Sequence, residues 1–516
     1  MTERAVSDLD APGGAEPLEA SPTRSEAAGR DDSTTRPNTR VIWLLLASTF
    51  VVFLNETIMG VAVPHLVDDL GITVTAAQWL TTAFLLTMAV VIPITGFLLQ
   101  RFPTRPIFIT AMTLFSAGTL LAALAPGFEV LLAARVVQAS GTAIMMPLLM
   151  TTLMTVVPAA ERGRFMGRVS IVMSVAPAIG PTISGLILSL ASWRFMFWLV
   201  LPIAVTMLII GIRKVETVNE PRRLPIDLFS VVLSAFGFGG LVYGLSQLGG
   251  EGGGHGSAAA DAAATPTAVI WIAFGVGVAG IAAFIWRQIA LQRHDRALLD
   301  LRTFRSRNFS ISVALMIVLM ASLFGTIIVL PYYLQRVLLL DPLETGLLLL
   351  PGGLLMGLLG PVVGRLYDRF GPTPLLVPAS IVLSGALWSF TMLGETTPVW
   401  LVLLMHLAMS AALAFMFTPL FTSALGSVQP RFYSHGSAII GTVQQVAGAT
   451  GTALFIAVMA GSQTAAAAAG AAEIAAQAQG IRAAFLVGAI VSLGAIVGAL
   501  FIRRPADLPE GAPTPH

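Results

Sequence analysis

Three ionisable residues interrupt long apolar runs: Glu56, Arg135 and His406. An ionisable group at membrane depth is costly to place, so it marks a candidate site for handling protons or ligands. Glu56 lies eight residues before Pro64, about 12 Å from the outer end of its run at the helical rise. Arg135 lies about seven residues into a helix that enters from the outer side, about 10 Å deep by the same measure. The two therefore share a depth. Low dielectric disfavours a bare carboxylate, and a guanidinium nearby restores it. A Glu–Arg pair in that setting can take up and release a proton as its hydration changes. Glu56 is the candidate proton carrier and Arg135 the group that modulates it. The alternative is a buried bridge that only joins two helices, which is a poor source of net stability.

Gln138 follows Arg135 by three residues and shares its helix face. It can bond Arg135 or a substrate, or simply be satisfied by neighbouring helices. His406 lies seven residues into its run; it can titrate, bind a substrate or hold two helices together. Met405, Met409, Phe415, Met416 and Phe417 lie close by. Methionine and phenylalanine surfaces adapt to varied apolar ligands, although such a stripe also serves plain helix packing. Other chemistries find no residues. There are no cysteines, no phosphate-cradling glycine loop with a lysine, and no His/Asp/Glu set at metal spacing. No cofactor is expected, nor an enzyme, ATP or nucleic acid; a proton gradient is the expected energy source.

The elements that place these residues follow from composition. Only 11% of the 516 residues are charged, against about 25% in a soluble protein. Residues 1–40 hold 13 of the 56 charges and read as a disordered tail. The rest alternates between apolar runs of spanning length and short polar breaks. Fourteen runs result: 41–63, 77–99, 106–125, 130–157, 165–190, 194–213, 227–248, 268–289, 309–331, 343–366, 374–393, 399–424, 436–460 and 481–502. Basic residues orient them. With both termini in the cytoplasm, 25 of the 29 Lys and Arg residues fall inside; the exceptions are Arg135, Arg194, Arg336 and Arg482. Asp227 opens the seventh span at the interface. Residues 249–266 read as a flexible outer loop and 461–480 as an Ala-rich outer segment with room for a short helix.

A repeat divides the chain. Gly96-Phe-Leu-Leu-Gln100-Arg101-Phe-Pro103 closes the second span, and Gly364-Arg-Leu-Tyr-Asp368-Arg369-Phe-Gly371 closes the tenth. In both, glycine allows close helix approach, and the charged residues hold the turn at the interface. The arrangement is 6+2+6: a bundle at 41–213, an inserted pair within 214–308, a second bundle at 309–502, and a tail at 503–516. Three more segments belong with it. They are Leu54-Asn55-Glu56-Thr57-Ile58-Met59-Gly60-Val61-Ala62-Val63-Pro64, Arg135-Val-Val-Gln138-Ala139-Ser-Gly141, and Gly180-Pro181-Thr-Ile-Ser184-Gly185. Separately, Gln444-Gln445 opens the thirteenth span before a Gly-Ala run and reads as close helix packing with two polar groups.

This layout resembles the major facilitator superfamily, and within it the fourteen-helix drug:proton antiporters of the EmrB/QacA type, over about residues 41–502. The second loop motif matches the family's G-x-x-x-D-R-x-G, while the first has Gln100 for Asp and Pro103 for Gly. Ala139 and Ser184 each replace a motif glycine. Asn55 stands where the fourteen-helix signature has Asp, one residue before Glu56. The resemblance implies an all-α major facilitator fold whose first, fourth and twelfth helices line a central cavity. Asn55, Gln138, His406, Met409 and Phe415 are then the candidate cavity residues. Gly180, Pro181 and Gly185 would shape the fifth helix and are associated with antiport. The expected protein is a monomer in a bacterial cell membrane, in contact with lipid. It would exchange protons for exported amphiphilic or cationic compounds. A dedicated exporter of one metabolite or antibiotic, an importer, and a non-transporting sensor or scaffold are the alternatives.

Overall fold

A chain in hydrocarbon must satisfy every backbone N–H and C=O from within, and helices do this segment by segment. The computed structural model describes residues 39–72, 74–219, 221, 227–251 and 267–504. The tail 1–38, most of the outer loop 249–266, Arg222, Arg223 and residues 505–516 lie outside the described residues. Among the described residues, fourteen helices are long and apolar enough to cross a membrane. The first six are α1 (Thr39–Leu70), α2 (Val74–Arg101), α3 (Thr104–Ala123), α4 (Phe128–Val156), α5 (Arg162–Leu190) and α6 (Arg194–Lys214). The inserted pair is α7 (Leu228–Glu251) and α8 (Thr267–Leu291). The last six are α9 (Arg307–Arg336), α10 (Pro342–Phe370), α11 (Thr373–Phe390), α12 (Val399–Gly426), α13 (Tyr433–Ala468) and α14 (Glu473–Ala499).

Each expected span has its helix, and most helices outrun the apolar runs, while α11 ends at Phe390, short of 393. Helix α1 continues past Pro64 to Leu70. The Ala-rich segment is no separate helix: α13 runs to Ala468, and α14 starts at Glu473. Gln444 and Gln445 are therefore mid-helix and do not open α13; the Gln444 Nε2 lies 3.7 Å from the Met320 sulfur on α9. Alanine is the strongest helix former, so the helix extends where hydropathy fades. The short break before α10 is a firm boundary. Asp341 accepts from Glu344 N at 2.8 Å, and the Glu344 carboxylate accepts from Asp341 N at 3.2 Å, a capping box.

Packing repeats with an offset of eight helices. The pairs α3–α4, α3–α6, α1–α5, α2–α4, α1–α4 and α1–α6 recur as α11–α12, α11–α14, α9–α13, α10–α12, α9–α12 and α9–α14. The seams between the bundles obey the same relation: α2–α13 on one side, α5–α10 on the other. Large side chains fill places left by glycine. Phe108 packs on Gly211 in the first bundle, and Phe455 packs against Gly325 and Gly488 in the second. Large apolar side chains such as Leu186, Trp286 and Leu358 are exposed on the outer surface, as a lipid-facing helix requires.

The start of α1 and the segment that follows α14 lie on one face, here called the terminal face. The Asn308 amide bonds the Arg503 carbonyl at 2.9 Å, and Arg168 at the start of α5 covers the Trp43 ring. On the opposite face Asp69 accepts from Trp193 Nε1 at 2.7 Å and from Arg194 at 3.1 Å. These donors hold the Asp69 carboxyl below the usual carboxylate range. They also explain why one arginine stands on the acidic side: its charge is paired.

The inserted helices pack on each other through Gly237, Gly240 and Gly244 of α7 and Gly277 and Gly280 of α8. Helix α7 then leans on α2 and α13. Asp227, at the start of α7, takes a two-point bond from Arg287 at 2.7 and 2.9 Å. That guanidinium, helped by Ser230, holds the Asp227 carboxyl below its usual range. A lowered folded value means stability that is present above about pH 4, the ordinary Asp value. It is lost as pH falls through the folded value. Asp227→Asn should cost about 1–2 kcal/mol, since the pair is mostly buried. Thermal unfolding in detergent at neutral and acid pH measures this, and the variant and wild type should converge at low pH.

Candidate functional site

Arg135 is fully buried in α4, its own neighbours come from α1 and α2, and α3 joins the cluster through Gln138. Its Nη1 donates to Gln138 Oε1 at 2.6 Å on its own helix and to Asn55 Oδ1 on α1 at 3.5 Å. The Phe84 ring of α2 lies under the guanidinium, 4.1 Å from centroid to carbon. Gln138 Nε2 donates onward to Thr119 of α3 at 2.8 Å. Helices α3 and α4 come this close because Gly118 and Gly141 lack side chains. A Cβ on Gly118 would meet Gln138 N at 2.5 Å, and one on Gly141 would collide with the Ala111 carbonyl. Ala139, in the place of a motif glycine, packs with Phe84, Met88 and Ile92 of α2.

The acidic partner is offset. Asn55 faces Arg135, and Glu56 is the next residue, turned about 100° around α1. No ion pair joins Glu56 to Arg135 among the described residues, although the two charges are close enough to interact. Among the described residues, the buried Glu56 Oε2 has no hydrogen-bond partner, and neither has Arg135 Nε. A buried polar atom without a partner costs about 1–3 kcal/mol. The centre therefore holds a guanidinium kept by neutral oxygens and a ring, beside a carboxyl with nothing bound to one oxygen. Such a carboxyl is free to gain a proton, lose one, or meet a cation.

The α12 residues lie in the other bundle and do not join this cluster. His406 Nε2 lies 3.3 Å from the Leu349 carbonyl of α10, and its Nδ1 is buried without a partner. The ring fits over Gly352, where a Cβ would collide with it. Its place is thus a contact between α10 and α12. Met409 is buried in the core, and Phe415 packs beside Val363, Tyr367 and Leu375 toward the terminal face.

Glycines of the recognised motifs form seams. Gly180 lies against Thr57, next to Glu56; a Cβ there would collide with the Thr57 hydroxyl, which bonds the Ala176 carbonyl at 3.3 Å. The side chain of Pro181 lies outside the described residues, and Gly185 faces open space. Between the bundles, Gly163 and Gly167 of α5 abut Gly364 and Gly360 of α10, backbone on backbone. Asp368 then accepts from the N–H groups of Gly163 and Arg164, both at 2.8 Å. The motif acid thus holds the start of a helix in the opposite bundle. Arg369 lies over Phe370. Gly371 ends α10 at φ 79°, which favours glycine. Gly96 plays the matching part against Ala438 and Ser434 of α13, and Arg101 sits over Phe102.

Further hydrogen bonds join the bundles in the half of the membrane nearer the terminal face. Thr151 meets Ser437 at 2.8 Å, Ser170 meets Thr418 at 2.7 Å, and Gln100 Nε2 donates to the Arg431 carbonyl at 3.0 Å. None of these seam hydroxyls carries a motif, and neither do Phe84 and Thr119. The structure is thus closed at the terminal face.

Known proteins place the fold. A family model described as Major Facilitator Superfamily matches residues 45–452. The chain is similar to "Lincomycin resistance protein LmrB" of Bacillus subtilis, 37% identical over 90% of this chain and 95% of that protein. It is similar to "Uncharacterized MFS-type transporter YcnB" of the same species, 37% identical over 92% and 97%. A "Multidrug resistance protein B homolog" of Mycobacterium tuberculosis is 29% identical over 80% and 75%. Among solved structures, the human organic anion transporter MFSD10 (TETRAN) superposes with TM-score 0.60 at 15% identity, covering 90% of this chain and 99% of that one. The proton:xylose symporter XylE, bound to 6-bromo-6-deoxy-D-glucose, gives 0.58 at 15%, covering 90% and 95%.

Proposed function

The chain belongs to the major facilitator superfamily of membrane transporters, and from this premise we propose that it exports small amphiphilic or cationic compounds in exchange for protons. The observation that carries this reading is Glu56, a buried carboxyl with an unpartnered oxygen beside Arg135. Protonation of Glu56 and binding of a cationic cargo compete for the same charge, and that competition is what exchange requires. The relatives named for lincomycin and multidrug resistance support export of foreign compounds, and they make lincomycin the first cargo to try.

We place the terminal face in the cytoplasm, because 25 of 29 basic residues would then lie on that side. The seam bonds at the terminal face then close the chain toward the cytoplasm, the side from which an exporter would load its cargo. The two bundles would rock about a site near the membrane midplane. Glu56 and Arg135 lie in one bundle, so a cargo held between that cluster and the other bundle would feel the motion.

The test is accumulation in an efflux-deficient bacterium with and without the chain. Lincomycin and cationic dyes should be expelled, and a proton uncoupler should abolish the difference. Expulsion that survives the uncoupler would overturn proton coupling. No expulsion across the panel would overturn the broad substrate range and leave a dedicated exporter.

A further inference from the structure

We infer that the terminal face carries a binding site for a phosphate-type oxyanion at the α2–α13 seam, formed by Arg162 and Arg431 where the first motif copy lacks its acid. The site is a cavity of about 330 Å³ with walls from both bundles. Gln100, Thr155, Arg162 and Asn219 come from the first bundle and its exit, and Arg431 and Tyr433 from the second.

The two seams are related by the repeat, and their difference is chemical. At α5–α10, Asp368 crosses from one bundle to the other and accepts two N–H bonds. At α2–α13, the matching residue is Gln100. Its amide is neutral, and its Nε2 donates across the seam to the Arg431 carbonyl at 3.0 Å. No carboxylate pairs with Arg162 or Arg431 among the described residues. Arg162 is held in place by the Met154 carbonyl at 2.9 Å and the Val157 carbonyl at 3.2 Å, with its plane near the Tyr433 ring. Among the described residues, the Arg431 side chain has the Gln429 amide oxygen at 2.9 Å and the Phe432 ring. Two oriented guanidiniums beside one cavity, with the negative charge of the sister seam missing, fit an oxyanion that takes bonds from both.

The ligand chemistry has two sources, the headgroup of an anionic phospholipid and a free phosphate. In either case the anion touches both bundles, so it binds the closed terminal face better than the open one. By linkage it stabilises that state. The site supplies from outside what Asp368 supplies from within the chain.

The test uses the purified full chain and reads its thermal midpoint. Inorganic phosphate is titrated in neutral detergent against sodium chloride of equal ionic strength. In parallel the chain is placed in phosphatidylcholine bilayers with and without phosphatidylglycerol. The midpoint should rise with one or both anions. A rise with phosphate alone identifies a free anion, and a rise with phosphatidylglycerol alone a lipid headgroup. Arg431→Gln should weaken the response about tenfold or more, the value of one charge-assisted bond. Arg162 also holds backbone carbonyls, so Gln100→Glu serves as the second variant. It should raise the midpoint in anion-free conditions and abolish the response. A wild type indifferent to both anions, or either variant responding as the wild type does, overturns the site.

Discussion

Glu56→Gln should abolish transport driven by a pH gradient while leaving the folded protein as stable as before, or slightly more so. An amide has nearly the shape of the carboxyl but carries no exchangeable charge. If Glu56 is the proton carrier, efflux in vesicles should fall to the level of the uncoupled protein, at least about a hundredfold for a required proton step. The stability half of the expectation separates two roles. A buried Glu–Arg bridge that served structure would cost about 3–5 kcal/mol when one partner is removed. Here Arg135 is already held by Gln138, Asn55 and Phe84, without a carboxylate. Removing the Glu56 charge therefore leaves the guanidinium with the same partners. Unchanged coupled transport would sink the carrier role, and a large fall in thermal midpoint would point to the bridge. Asn55→Asp is the informative companion. It puts a carboxylate against Arg135 and should stabilise the guanidinium in the charged form.

Residues 55 and 56 also show how far the sequence could be read. Depth placed Glu56 near Arg135, because helical rise is fixed. The direction of each side chain depends on how α1 is rotated, and rotation is set by Gly180 meeting Thr57, not by hydropathy. The fourteen helices and their division were legible because charge is expensive in lipid and therefore sparse. The Gln138 bond to Arg135 followed from spacing on one helix. Phe84 and Thr119 were not visible. They come from α2 and α3, and no local pattern distinguishes a phenylalanine under a guanidinium from one facing lipid. His406 illustrates the reverse. Its residue type suggested a cavity role, yet Gly352 of α10 provides the space that its ring fills. Asp368 was found as a motif, but its partners lie more than two hundred residues away. Only the packing of one bundle on the other could reveal them.

Gly364→Ala should reduce transport by about tenfold or more and shift the protein away from the state closed at its terminal face. Glycine here is not needed for backbone freedom, since it lies within a regular helix. It is needed because α5 and α10 touch by backbone: a Cβ at 364 would collide with the Gly163 carbonyl oxygen, which has no rotamer to escape by. The helices must separate, and separation pulls the Asp368 carboxylate from the Gly163 and Arg164 N–H groups. Two charge-assisted bonds, each about 1.5–3 kcal/mol, are then at stake in a single state. A difference of a few kcal/mol between two states changes their ratio by more than tenfold. The open state loses nothing, because the seam is parted there. The effect is thus conformational and not a general loss of folding. The chain has no cysteine, so probes need no background replacement. Thr151→Cys with Ser437→Cys, whose native hydroxyls lie 2.8 Å apart across the other seam, should form a disulfide readily. That cross-link should form more slowly in the Gly364→Ala background if the bundles close as one body. Equal cross-linking with unchanged efflux would show that the glycine contact does not hold the gate.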